Sequence, residues 1–272
     1  MVRVLAVVLT TLAMVGMAAD QGRAGGPLVA AHRGGAALWP ENSLHAFRNA
    51  LALGADLVET DVHLSADGEV MVLHDPTLER TTSGRGAVRD LTREAIAKVR
   101  LKGSDGTLSE ETVPTLAALL DLIQPSPASL LLEIKTDVAK RRYPDIEEKA
   151  LALVKARQLL SRVRVMAFEE ETIRCVRQLE PAVRTVLLVG RRTAYGERTA
   201  DIVSRVSAVG AHDLGVDHRV LDADLAAAVR ANGLGLAAWT VDDERDIRRV
   251  IELGVDIVIS DRPDLALRLR GR

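Results

Sequence analysis

Two histidines, three carboxylates, an arginine and a lysine stand where apolar runs give way to polar sequence. Leu28-Val29-Ala30-Ala31 runs into His32-Arg33, and Leu57-Val58 into Glu59-Thr60-Asp61. Val70-Met71-Val72-Leu73 runs into His74-Asp75, and Leu130-Leu131-Leu132 into Glu133-Ile134-Lys135. A short apolar run that ends in an ionisable residue reads as a buried strand emerging at a rim. Strands that emerge at one rim gather their last residues, which is how barrel active sites are built. Glu59 and Asp61 alternate, so on a strand they share a face, while Val58 and Val62 mark the other face as apolar. Two carboxylates on one face repel unless a cation lies between them or one is protonated. A hard divalent cation with oxygen ligands is the simplest remedy, and Glu133 offers a third ligand from another strand.

Histidine titrates near neutrality, so His32 and His74 can divide proton removal and proton donation between them. Arg33 can hold phosphate oxygens bidentately. Lys135 shares the strand face of Glu133 and can offset charge in a transition state. His45, His63, His212 and His218 read as structural or surface residues.

The set His32-Arg33, Glu59-Thr60-Asp61 and His74 resembles the glycerophosphodiester phosphodiesterase family, whose signature is His-Arg, then Glu-x-Asp, then His. The likeness continues through Leu132-Glu133-Ile134-Lys135, Ala238-Trp239-Thr240-Val241 and Gly254-Val255-Asp256-Ile257, spanning roughly residues 29–265. It implies a metal-dependent phosphoric diester hydrolase that converts small-molecule glycerophosphodiesters to sn-glycerol 3-phosphate and an alcohol. It puts one divalent cation, Mg²⁺ or Ca²⁺, on Glu59, Asp61 and Glu133, and catalysis on His32 and His74. Substrate contacts fall to Arg33, Glu41, Asn42, Lys135 and Trp239. Pro40-Glu41-Asn42-Ser43 matches the family's Pro-Glu-Asn-Thr with Ser43 in place of Thr, and Asn42 reads equally well as a cap for the helix after it. Trp239 is placed against the leaving side of the substrate. Asp242 stands where the family often has Asn, which adds negative charge near the rim. Two other readings share the likeness: a lysophospholipase D or sphingomyelinase D-like enzyme, and a non-catalytic phosphodiester-binding barrel.

The scaffold must be aliphatic, because hydrophobic residues make up 47% of the chain but aromatics only 2%. Branched aliphatics suit parallel strands buried on both faces. A net charge of −2 gives no basic excess for nucleic acid. The single cysteine, Cys175, excludes an intrachain disulfide and multi-cysteine zinc chemistry. Gly-x-Ser-x-Gly, the P-loop, the dinucleotide glycine fingerprint and His-Glu-x-x-His are all absent. Arg3 precedes an apolar run from Val4 to Ala19, and small residues follow at Ala18, Ala19 and Ala24. Residues 1–24 therefore read as a secretory signal and the protein as exported, periplasmic or secreted. An N-terminal anchor is the rival reading. Membrane contact is then expected only through substrate or an uncleaved N-terminus.

From residue 25 on, apolar runs alternate with amphipathic ones, which predicts an α/β fold. Strands are expected at Leu28–Ala31, Leu57–Leu64, Val70–Leu73, Leu130–Ile134, Val163–Phe168, Val183–Val189, Val206–Ala211, Leu236–Val241 and Asp256–Ser260. Too few residues separate Leu64 from Val70 for a parallel crossover. Those two runs must form an antiparallel hairpin with Asp67-Gly68 at its turn. The hairpin brings His74 back opposite Glu59 and Thr60, and the remaining strands can close a TIM-type (β/α)8 barrel. Residues 75–113 read as an insertion; the resemblance places it over the mouth of the site.

Overall fold

A computed structural model of the chain describes residues 26–271. The signal reading of residues 1–24 lies outside the described residues. In chain order the strands are β1 (Leu28–Ala31), β2 (Leu57–Leu64), β3 (Val70–Val72), β4 (Arg100–Lys102), β5 (Leu108–Thr112) and β6 (Ser129–Ile134). They continue with β7 (Val163–Ala167), β8 (Arg184–Val189), β9 (Asp213–Asp217), β10 (Gly235–Trp239) and β11 (Ile257–Ser260). The helices are α1 (Leu44–Leu53), α2 (Arg93–Ile96), α3 (Leu116–Ile123), α4 (Ile146–Ala156) and α5 (Glu170–Leu179). Then come α6 (Thr199–Ala208), α7 (Ala223–Ala231), α8 (Glu244–Glu252) and α9 (Pro263–Leu269).

The order β1-β11-β10-β9-β8-β7-β6-β2, closed by pairing of β1 with β2, is an eight-stranded parallel barrel. Helices alternate with its strands. Strand parity sorts the side chains. One set fills the barrel interior: Ala30, Leu57, Leu131, Met166, Val186, Leu188, Ala237, Ile257 and Ile259. The alternate set, including Val29, Val58, Leu130 and Leu132, packs outward under the helices. Full burial of such aliphatics is worth about 1.5–3 kcal/mol each. Continuing the inward parity places His32 beyond Ala30, Glu59 and Asp61 beyond Leu57, and Glu133 beyond Leu131. The register Asp61↔Glu133 between β2 and β6 sets two of these carboxylates side by side.

The β2–β3 hairpin is antiparallel with register Val62↔Val72, and Gly68 takes the left-handed φ of 80° that its turn needs. Leu73 N–H donates to Asp61 O at 3.0 Å, so His74 arrives opposite Thr60. The insertion folds into a layer of its own. The β4–β5 ribbon and α2 bury Leu78, Val88, Ile96, Leu101 and Val113 against Met71 and Leu73 of the hairpin.

Two expectations need correction. Val206–Ala211 is not a strand: α6 runs through Ala208, and the barrel strand is the later β9. Ile202, Val203 and Val206 are buried at helical spacing. The real strand is short, polar at both ends and interrupted by Gly215, which hides its signal. A Cβ there would lie 2.6 Å from Leu188 Cδ2, so the glycine leaves room for that side chain as it now packs. The cap of α1 is Ser43, whose Oγ accepts from Ala46 N–H at 2.9 Å. Asn42 lies one residue too early, with φ 58°, and its side chain turns elsewhere.

Candidate active site

The C-terminal ends of β1, β2, β6, β7, β8, β10 and β11 surround a cavity of about 110 Å³. One wall is charged: His32, Arg33, Glu59, His74, Glu133 and Lys135. The other is apolar: Met166, Phe168, Leu188, Trp239 and Ile259. Trp239 meets Phe168 edge-on, with ring centroids 5.6 Å apart. A broader hollow of about 800 Å³ opens among Asp56, Ser129, Arg164 and Asp256, at the strands' N-terminal ends, and shares none of these groups.

Glu59, Asp61 and Glu133 are buried, and each offers a carboxylate oxygen within 4.8 Å of the others. Glu59 Oε1 and Asp61 Oδ1 are buried without a hydrogen-bond partner. Anionic oxygens left this way in a barrel interior cost several kcal/mol (roughly, per ion) unless a charge partner meets them. All-oxygen donors of this kind fit a hard divalent cation. In the protein alone, burial and the neighbouring Asp61 push the Glu59 carboxyl up to about 8. Burial also opposes the charge on Asp61, but Lys135 and Arg33 outweigh it and hold that carboxyl well below its usual range. Lys135 Nζ donates to Glu133 Oε1 at 2.7 Å and lies 3.4 Å from Asp61 Oδ1. Burial works against its charge, yet Glu133 and Asp61 keep it firmly protonated.

Arg33 follows His32 in a tight turn, with φ 50° in the left-handed region. There its N–H donates to Glu59 Oε2 at 2.9 Å, its Nη1 donates to Glu41 Oε1 at 3.2 Å, and its Nε lies 3.4 Å from Asp61 Oδ2. Asn42 is fully buried behind Asp61 rather than on the cavity wall. Its amide donates to Asp61 Oδ2 at 2.9 Å and accepts from Thr60 Oγ1 at 2.9 Å. It orients the carboxylate.

Both cavity histidines are held by carboxylates. His32 Nδ1 lies 2.6 Å from Asp261 Oδ1, and His74 Nδ1 lies 2.6 Å from Asp75 Oδ1. A carboxylate accepts, so each Nδ1 carries a proton and each Nε2 is left for chemistry. Burial disfavours the His32 cation, but Glu59 and the Asp261 hydrogen bond outweigh it and raise the basicity of the ring. Asp261 follows β11 and was not singled out in the sequence, although it obeys the same rule of a charged residue after an apolar strand. Asp242 does not crowd the rim with free charge. Its carboxylate accepts from Asp261 N–H at 2.8 Å and from Ser260 Oγ at 3.2 Å, fixing the loop that presents Asp261. His63 is structural. Tyr143 O–H donates to its Nδ1 at 3.0 Å, and its Nε2 donates to the His74 carbonyl at 3.0 Å.

Paired imidazoles, an anionic oxygen cluster and two cationic side chains around one small cavity can move protons at a phosphate while its charge is balanced. Known proteins are similar to this chain in sequence and in fold. The sequence profile of the glycerophosphoryl diester phosphodiesterase family matches residues 32–265. A glycerophosphodiester phosphodiesterase of Caldanaerobacter subterraneus subsp. tengcongensis is 34% identical over 243 residues, covering 89% of this chain and 97% of its own. One from Bacillus altitudinis is 32% identical over 254 residues, covering 88% and 96%. Among solved structures, an Oleispira antarctica phosphodiesterase in complex with the product sn-glycerol-3-phosphate superposes with a TM-score of 0.77 at 26% identity, covering 90% and 96%. A glycerophosphodiester phosphodiesterase from Agrobacterium tumefaciens gives 0.74 at 27% identity, covering 89% and 99%. With barrel, cavity and near full-length likeness in agreement, this chain is an enzyme belonging to the glycerophosphoryl diester phosphodiesterase family.

Proposed function

We propose that the protein hydrolyses glycerophosphodiesters to sn-glycerol 3-phosphate and an alcohol such as choline or ethanolamine, with one divalent cation, Mg²⁺ or Ca²⁺, and the pair His32 and His74. The observation that carries this reading is the cluster of Glu59, Asp61 and Glu133 within 4.8 Å, beside two imidazoles whose Nδ1 atoms are both engaged by carboxylates. The product held by the Oleispira antarctica relative supports the substrate class.

Glu59, Asp61 and Glu133 would hold the cation, which when bound supplies positive charge against a phosphate oxygen. Arg33 grips a second phosphate oxygen while Glu41 and Asp61 hold its guanidinium in place. Lys135 stays protonated between Glu133 and Asp61 and offsets charge that develops on the phosphate. One imidazole takes a proton at Nε2 from the attacking oxygen, and the other gives one from Nε2 to the leaving alkoxide. The carboxylates on Nδ1 steady each ring, and for His32 the Asp261 hydrogen bond also favours the cation. Trp239 and Phe168 form the apolar wall against which the alcohol side of the diester packs.

That wall also favours a second reading, a lysophospholipid as the diester. One assay separates the possibilities. Purified protein is offered glycerophosphocholine, glycerophosphoethanolamine and lysophosphatidylcholine after chelator treatment, and then with Mg²⁺ or Ca²⁺ restored. Turnover of the water-soluble diesters is expected to vanish with chelator and return with one of the ions. Undiminished turnover in chelator contradicts the cation role, and exclusive turnover of the lysolipid moves the substrate to the second reading. A diester lacking the glycerol 2-hydroxyl tests the attacking group, since unchanged turnover excludes attack by the substrate itself.

A further inference from the structure

Arg80, in the insertion, makes four hydrogen bonds to carboxylates beside the site. Its Nε donates to Asp75 Oδ2 at 2.6 Å and its Nη2 to Asp75 Oδ1 at 2.9 Å. On its other edge Nη1 donates to Glu41 Oε2 at 2.9 Å, and Nη2 donates to Glu41 Oε1 at 2.9 Å. One planar guanidinium thus grips two carboxylates, each through both oxygens. Lysine, a point charge with donors on one atom, cannot reproduce that fork.

Each carboxylate has its other partner in the proposed machinery. Asp75 Oδ1 sits on His74 Nδ1 at 2.6 Å. Glu41 Oε1 accepts from Arg33 Nη1 at 3.2 Å. A continuous chain therefore runs His74–Asp75–Arg80–Glu41–Arg33, from the end of the hairpin to the turn after β1. These segments meet at the rim, and Arg80 joins them there. Without it, two carboxylates that share Nη2 would face each other with no charge between them. Asp75 would lose the contact that aims it at the imidazole, and Glu41 the contact that aims it at Arg33.

We propose that Arg80 is a positioning residue for both halves of the site: it fixes Asp75 on His74 and Glu41 on Arg33, and so sets the proton-transferring ring against the arginine that grips phosphate. The proposal rests on the reading of His74 and Arg33 given above. It gives the insertion a catalytic purpose.

The test compares wild type, Arg80→Ala, Arg80→Lys and His74→Ala on glycerophosphocholine with the divalent cation present. Displacement of a reacting group by about 1 Å costs roughly 10²-fold, so kcat of Arg80→Ala is expected to fall by about that factor. Arg80 is half exposed, and its thermal midpoint should stay close to wild type. Millimolar guanidinium should restore part of the lost turnover, whereas ammonium should not, and Arg80→Lys should remain impaired. Wild-type kcat in Arg80→Ala, or a loss that guanidinium does not relieve, overturns the proposal. His74→Ala isolates the premise: an active His74→Ala protein sinks the two-histidine reading, while an inactive one beside a fully active Arg80→Ala sinks the role of Arg80 alone.

Discussion

Each cavity histidine owes its tautomer to one carboxylate, Asp261 for His32 and Asp75 for His74. Most of this was legible one residue at a time. His32, Glu59, Asp61, His74 and Glu133 were found because each ends an apolar run. Their partners were harder. Asp75 stands next to His74 with no signal of its own, Asp261 is 229 residues along the chain from His32, and Arg80, six residues from His74, belongs to the polar insertion. Spacing in sequence says nothing about such meetings. Asn42 shows the converse: its residue type fits a helix cap, but Ser43 takes that place and frees Asn42 to hold Asp61. His63 gives a prediction at this scale. Burial pushes its ring down to about 4, only partly opposed by its bond to the His74 carbonyl. The unfolded chain, with an ordinary value of about 6.5, binds more protons over the interval between them, so stability rises with pH there. Read in the other direction, stability is lost as pH falls from about 6.5 towards about 4. His63→Gln keeps a donor for that carbonyl but does not titrate, so its thermal midpoint should change less than the wild-type midpoint across this window. Equal slopes for the two proteins would rule out the assignment.

At the level of elements, the hairpin carries the largest consequence. Its register, Val62↔Val72, sets which face His74 reaches, and a slip of one residue would turn the ring away from the carboxylates. The short gap between Leu64 and Val70 made that hairpin readable. The insertion was less so. Strand β5 alternates between exposed and partly buried residues along polar sequence, and β4 is only three residues long. Val206–Ala211 reads as a strand for a related reason: the true strand β9 is set by pairing with β8 and β10 and has little apolar sequence of its own. Ser43 ties the α1 terminus to the site loop, accepting from Ala46 N–H and donating to the Pro40 carbonyl at 2.7 Å. Ser43→Ala should cost about 1 kcal/mol of stability by loss of the cap. Urea denaturation measures it, and a midpoint unchanged from wild type would contradict the capping role.

Across the whole molecule, barrel closure does what no single element can. β1 pairs with β11 on one side and with β2 on the other, so His32, near the start of the described chain, meets Asp261, near its end. His74 comes in from the hairpin, Glu133 from β6 and Trp239 from β10. The alternation of apolar and amphipathic runs was enough to read the barrel, because parallel strands buried on both faces leave a strong aliphatic signal. It was not enough to read which loop residues lock the rim. The central claim is that two imidazoles brought from separate parts of this barrel share the proton transfers of diester hydrolysis. Its most direct test is kcat on glycerophosphocholine, with the divalent cation present, for His32→Ala and His74→Ala against wild type. A fall of about 10²–10⁴-fold is expected in each variant at an unchanged thermal midpoint. Wild-type turnover in either variant would contradict it.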